Sequence, residues 1–137
     1  MATDSELTVW LTRPKHKGQG ISQLLNDAGF QSIHQPAIEI NAVAANSEHE
    51  KHVKQLMLQL DNFKYLIFIS TNAVSHGMGQ IENYWPQLPV DQHWYAIGRA
   101  TAKALFEFGV SAKIPVGEQS SEQLLALPEL VAANGEK

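Results

Sequence analysis

The sequence predicts an α/β fold in which a mainly parallel sheet is flanked by helices. Three observations lead there. Short apolar runs such as YLIFI at 65–69 lack polar alternation, as strands do when helices cover both faces of a parallel sheet. Strand-like and helix-like patterns alternate along the chain with short connections, the order that right-handed βαβ crossovers require. Several junctions also carry matching punctuation, with Ser, Thr or Asn ahead of helices and Gly or Pro behind them.

The elements follow in order. LTVWLT at 7–12 reads as the first strand and RPKHKGQG at 13–20 as turn material. Ile21, Leu24, Leu25 and Ala28 then share a helical face that Gly29 ends in a left-handed conformation. FQSIHQPAIEINAV at 30–43 is extended, and Pro36, having no N–H to give a ladder, marks a crossover or linker. Ser47 and Glu50 have capping-box spacing ahead of Val53, Leu56, Met57 and Leu60. The strand at 65–69 passes into a helix carrying Val74, Met78, Ile81 and Trp85, which Pro86 stops. HWYAIG at 93–98 is the next strand, and Ala100, Ala104, Leu105 and Phe108 mark a helix that Gly109 ends. SAKIPVG at 111–117 reads as a short strand or extended segment; a helix opens on a Ser120–Gln123 capping pair, with Pro128 kinking or ending it.

Composition narrows the function. A chain of 137 residues, 44% hydrophobic, suits one ordinary domain burying roughly two thirds of its extended surface. Lys+Arg 10 against Asp+Glu 14 gives a net charge of -4, and no basic stripe forms, which argues against nucleic acid. Cysteine is absent, which excludes disulfides and thiolate chemistry. No apolar run is long enough to span a bilayer and the N-terminus lacks a secretory pattern, so a cytoplasmic address is expected.

The strand-to-helix turns carry the candidate chemistry. Ser70, Thr71 and Asn72 stand where a strand becomes a helix, so one of them is expected to cap free N–H groups; the same N–H groups and the helix dipole attract a carboxylate or phosphate. LTRP, IGRATA and PVGEQSSEQ repeat the arrangement, with Arg13 and Arg99 available for charge-assisted bonds. Several such loops on one rim suit a ligand with several negative groups. Other signals are blander. His49 and His52 beside Glu48 read as a solvated helix start in preference to a metal site, and His76 has no partner carboxylate for nucleophilic catalysis. Trp10, Trp85 and Trp94 are expected to pack around the sheet. GQG at 18–20 is not a complete G-x-G-x-x-G turn and there is no Walker A sequence.

At TRP (Thr12, Arg13, Pro14), PAIEI (36–40), S-x-NAV (Ser70, Asn72, Ala73, Val74), IG-x-ATA (Ile97, Gly98, Ala100, Thr101, Ala102) and SE-x-LL (Ser121, Glu122, Leu124, Leu125), in that order, the chain resembles the uroporphyrinogen-III synthases. The resemblance implies a flavodoxin-like, two-domain enzyme with an inter-domain cleft that cyclises hydroxymethylbilane with inversion of ring D and loss of water, without cofactor or metal. It covers only the N-terminal half of such enzymes. Residues 1–35 are then expected to open a first, incomplete α/β domain and 36–137 to form the linker and most of the second. The chain alone is expected to be a truncated form with weak or no activity and a tendency to self-associate, the full-length enzyme a monomer. By the same resemblance Thr101 is the catalytic candidate, positioned near the leaving hydroxyl, and Thr12, Arg13, Ser70, Thr71, Asn72, Gly98 and Ser121 are substrate-binding candidates. The competing expectation is a nonenzymatic flavodoxin-like or receiver-like domain, which Asp61 and Lys64 disfavour by preceding a strand where a receiver's acidic residue would end one.

Overall fold

The structure is a computed structural model and describes residues 7–117 and 119–133. The chain divides into two compact units, Met1–Ala42 and Val43–Lys137, each with its own two-stranded parallel sheet. The α/β class and the parallel pairing are therefore present, in two short sheets.

The first unit is a βαβ element of β1 (Thr8–Leu11), α1 (Lys15–Asp27) and β2 (Gln31–His34), in register from Thr8↔Gln31 to Leu11↔His34. Side chains alternate between faces of a strand. Leu11 is buried on the face that meets α1, with Val9, Ser32 and His34 half-buried beside it. The hydroxyls of Ser22 on α1 and Ser32 on β2 hydrogen-bond at 2.6 Å. Gly18 is buried because the His34 imidazole occupies its side-chain space: a Cβ there would lie 2.1 Å from Nε2. The KGQG stretch read as a turn is thus the opening of α1, and its first glycine is a packing residue. Leu24, expected on the buried face, is 70% exposed; Ile21 and Leu25 make the contact side with Gly18 and Ser22. Gly29 ends the helix as expected, with φ 87° and Phe30 N–H donating to Leu25 O at 2.9 Å. Beyond β2, the N–H groups of Gln35 and Ala37 still donate to Leu11 and Thr12 carbonyls, both at 3.0 Å, with Pro36 between them.

The second unit runs α2 (Glu48–Leu58), a 3₁₀ turn (Leu60–Asn62), β3 (Tyr65–Phe68), α3 (Thr71–Tyr84), β4 (His93–Ala96), α4 (Arg99–Phe106), α5 (Ser121–Leu125) and α6 (Pro128–Val131). Strands β3 and β4 pair in parallel from Tyr65↔His93 to Phe68↔Ala96. Leu60, Phe68, Val74, Met78, Ile81, Ala96, Leu105 and Val110 form its core, so the apolar stripe read on α3 faces inward. Trp85 Nε1 donates to Met57 O at 2.6 Å and Trp94 stacks on Phe68, whereas Trp10 of the first unit is 65% exposed and does not pack as expected.

Local expectations are met only in part. The segment at 111–117 is the extended alternative, with Lys113 making one parallel bridge to Tyr95 and Pro115 unable to extend the donor ladder. On α4 the inward face is Thr101 and Leu105, with Phe108 half-buried just beyond it and Ala100 exposed. Leu56 likewise faces out of α2, leaving Val53 and Met57 to lead into buried Leu60. Pro128 opens α6 at its first turn, where its missing N–H is harmless. Ser47 does cap α2, accepting from Glu50 N–H at 3.1 Å, but the Glu50 carboxylate takes the N–H of Asn46 and not that of Ser47.

Candidate functional site

Parallel pairing places the ends of β3 and β4 side by side, and Ile97 N–H donates to Phe68 O at 3.1 Å just beyond the last paired residues. The β3–α3 and β4–α4 turns, opening on Ser70 and Gly98, therefore sit next to one another on the carboxyl edge of the second unit's sheet. In open α/β sheets that edge is where ligands bind.

The two turns satisfy their helix starts differently. Ser70 caps α3: its Oγ accepts from Ala73 N–H at 3.0 Å and its carbonyl from Val74 N–H at 3.1 Å. Thr71 and Asn72 form the first turn beyond it, half-buried. Gly98 has no side chain to offer α4, and the cap comes from twenty residues away: Gln119 Oε1 accepts from Arg99 N–H at 3.3 Å. A Cβ on Gly98 would lie 2.3 Å from that oxygen, so the glycine makes room for the carboxamide. Gln119 immediately precedes Ser120, which caps α5 by accepting from Gln123 N–H at 3.3 Å. Ser121 follows, exposed. Next to it, the Glu122 carboxyl is held below its usual pKa by its own backbone N–H and by the Ser120 hydroxyl.

The beginnings of α3 and α4 thus adjoin, and Gln119 links the beginning of α5 to α4. Each presents the positive end of its backbone dipole, and exposed Arg99 adds a cation at α4. Thr101, three residues into α4, is only 5% exposed and shares the inward face with Leu105. Ser70, Thr71, Asn72, Gly98, Thr101 and Ser121 accordingly all belong to the second unit. Thr12 and Arg13 belong to the first, where both are exposed; their carbonyls are engaged by Ala37 N–H and His34 Nε2, each at 3.0 Å. Gln119 escaped the sequence reading because a bond spanning twenty residues leaves no local spacing.

On the sheet's other face Tyr95 is fully buried and its hydroxyl has no hydrogen bond of ordinary geometry. Burial chiefly, and then the nearby Glu129 carboxylate, raise its pKa. Glu129 on α6 pairs with Lys113 at 2.8 Å, which lowers the carboxyl pKa and raises that of the ammonium. His49, His52 and His76 are exposed, and among the described residues no group of three His, Cys, Asp or Glu could hold a metal. Among them, too, no helix is long and apolar enough to cross a membrane.

A profile of the family described as uroporphyrinogen-III synthase HemD matches residues 19–137. The chain belongs to that family. It is similar to the uroporphyrinogen-III synthase of Proteus mirabilis, 32% identical over 125 residues that make up 90% of this chain and 61% of the relative. The uroporphyrinogen-III synthases of Escherichia coli (strain K12) and Salmonella typhimurium (strain LT2) are 29% and 30% identical, each across 96% of this chain and 52% of its own length. The chain therefore spans about half the length of the curated relatives it matches. The turns at Ser70, Gly98 and Ser121 fall inside the family match, while Thr12 and Arg13 precede it.

Proposed function

We propose that this chain contributes the substrate-holding rim of a uroporphyrinogen-III synthase, which converts hydroxymethylbilane to uroporphyrinogen III with inversion of ring D and loss of water. The observation that carries the reading is the adjacency of the α3 and α4 starts on one sheet edge, with α5 tied in by Gln119. Hydroxymethylbilane bears eight acetate and propionate groups, and a rim of helix starts and small hydroxyl side chains is chemically suited to several carboxylates at once. Holding them bends a flexible chain toward the conformer whose ends meet, so orientation supplies much of the rate.

In this reading Ser70, Thr71, Asn72, Gly98 and Ser121 hold carboxylates, and Thr12 and Arg13 add contacts from the first unit. The carbon–oxygen bond of the hydroxymethyl group breaks as its oxygen gains a proton and leaves as water. The resulting azafulvene is attacked by the substituted end of ring D. The spirocyclic pyrrolenine so formed fragments and recloses with ring D inverted. Thr101 acts by hydrogen bonding near the departing hydroxyl, an electrostatic role. Its burial calls for approach through the α4 start, not from open solvent. We further assign residues 1–35 to a first, flavodoxin-like domain and 36–137 to the linker and most of a second. The exposed Trp10 and Ile33 side chains support self-association of this chain, which sedimentation across a concentration series tests.

The deciding experiment supplies freshly prepared hydroxymethylbilane to the chain alone and to the chain joined to the remaining half of a relative, then separates the product isomers. Predominant isomer III from the joined protein is expected, with little or none from the chain alone. Isomer I alone, at the uncatalysed rate in both, would overturn the proposal.

A further inference from the structure

The first unit contains an open pocket of about 490 Å³ that the rim described above does not use. That is inside the range of about 300–1,000 Å³ typical of small-molecule sites. One wall is the start of α1, with Pro14, Lys15 and His16; the other is the extended segment after β2, with Ile38, Glu39 and Ile40. The hydrogen bonds of Gln35 to Leu11 O, of Ala37 to Thr12 O, and of His34 Nε2 to Arg13 O hold the walls to a common frame.

The lining has a specific chemical character. Lys15 supplies an ammonium and His16 a ring N–H donor; no side chain caps α1, and its first turn carries no acidic residue. Glu39 supplies a carboxylate on the opposite wall, and Pro14, Ile38 and Ile40 supply apolar surface. None of Lys15, His16 and Glu39 is engaged in an ion pair among the described residues. A matching ligand has carboxylate arms at one end, an N–H donor at the other and a flat apolar body between them.

We propose that this pocket binds a single carboxylated pyrrole ring, with its acid arms on Lys15 and His16, its ring N–H on Glu39, and its face against Pro14, Ile38 and Ile40. The inference rests on the function proposed above and adds one ring-holding subsite to it, on residues outside the strand-to-helix turns of the second unit. At this size the pocket suits one substituted pyrrole and not a whole linear tetrapyrrole.

The test is an NMR titration of the full chain with a monopyrrole bearing one acetate and one propionate, with glutarate as the ring-free comparison. Backbone amide shifts are expected at 15–16 and 37–40. Binding should weaken about tenfold in K15Q/H16Q, as loss of charge-assisted bonds implies, and by a smaller factor in E39Q. All three side chains are exposed, so the variants should keep the native spectrum; if the double variant does not, K15Q alone carries the comparison. Shifts confined to 70–74 and 98–101, no shifts at all, unchanged binding in the lysine variant, or glutarate binding as tightly as the pyrrole would each overturn the inference. None of these outcomes touches the isomer assay: formation of isomer III without binding here would leave the synthase reading standing and remove only this subsite.

Discussion

The two units are built from the same βαβ grammar but are buried to very different degrees. The second collects eight buried residues into one core, with Val74 and Leu105 fully enclosed. The first encloses little more than Leu11 and Gly18, and leaves Trp10, Leu24 and Ile33 at 65%, 70% and 56% exposure. Trp10 and Ile33 are register partners, so they stand side by side on the sheet face opposite α1. A parallel sheet is normally covered on both faces, and here only one is covered. The lesson is that local pattern suffices to form a βαβ element, whereas a stable core needs a second layer.

The largest effect that would sharpen this contrast is expected from the second unit's centre. Leu105→Ala should cost about 2–5 kcal/mol in chemical denaturation, because it opens a cavity in fully enclosed packing. Ile33→Ala on the bare face should stay within about 0.5 kcal/mol, as surface changes do. Equal losses would break the comparison.

A smaller effect is expected inside the first unit. Gly18→Ala must displace the His34 ring and its bond to Arg13 O, but the ring can swing aside and alanine favours a helix, so the net cost should be about 1 kcal/mol or less. Amide exchange should quicken in β1 and β2 while the protected amides of α3 and α4 are unchanged. Uniform loss across both units would mean that they unfold as one.

The smallest effect concerns the attachment of α6. The Glu129 pKa is lowered in the folded chain, so the pair with Lys113 contributes above the unfolded carboxyl value and is lost as pH falls through the folded one. The Lys113 pKa is raised, so its contribution is present below the unfolded ammonium value and is lost as pH rises through the folded one. Both groups are solvent-accessible, so the change should be slight and weaken with salt. Proteolysis at 126–133 should speed up in acid in the native protein and show no such step in E129Q.

Much of the local structure, the start of α3 in the candidate site included, was legible from local chemistry. Ser47, Ser70 and Ser120 cap the helices that their positions announced, and the Gly29 and Gly109 helix ends fall where the apolar stripes stop, because each depends on bonds within a few residues. Leu24 misled because a helical stripe shows which residues share a face without showing how much of it a partner will cover. KGQG misled because a glycine required for close helix–strand packing is indistinguishable in sequence from one required for a turn.

The sequence by itself determined which segments become strands and helices and where most of them begin, since period, capping and chirality act over one or two turns. It also carried the ordered motifs that place the chain in its family. Tertiary structure alone decided that Gln119 would cap α4, that Gly18 would yield its space to His34, and that Thr101 would lie beneath the rim. Each depends on atoms brought together across the chain by strand pairing and core packing, and such contacts leave no period for a local reading to find.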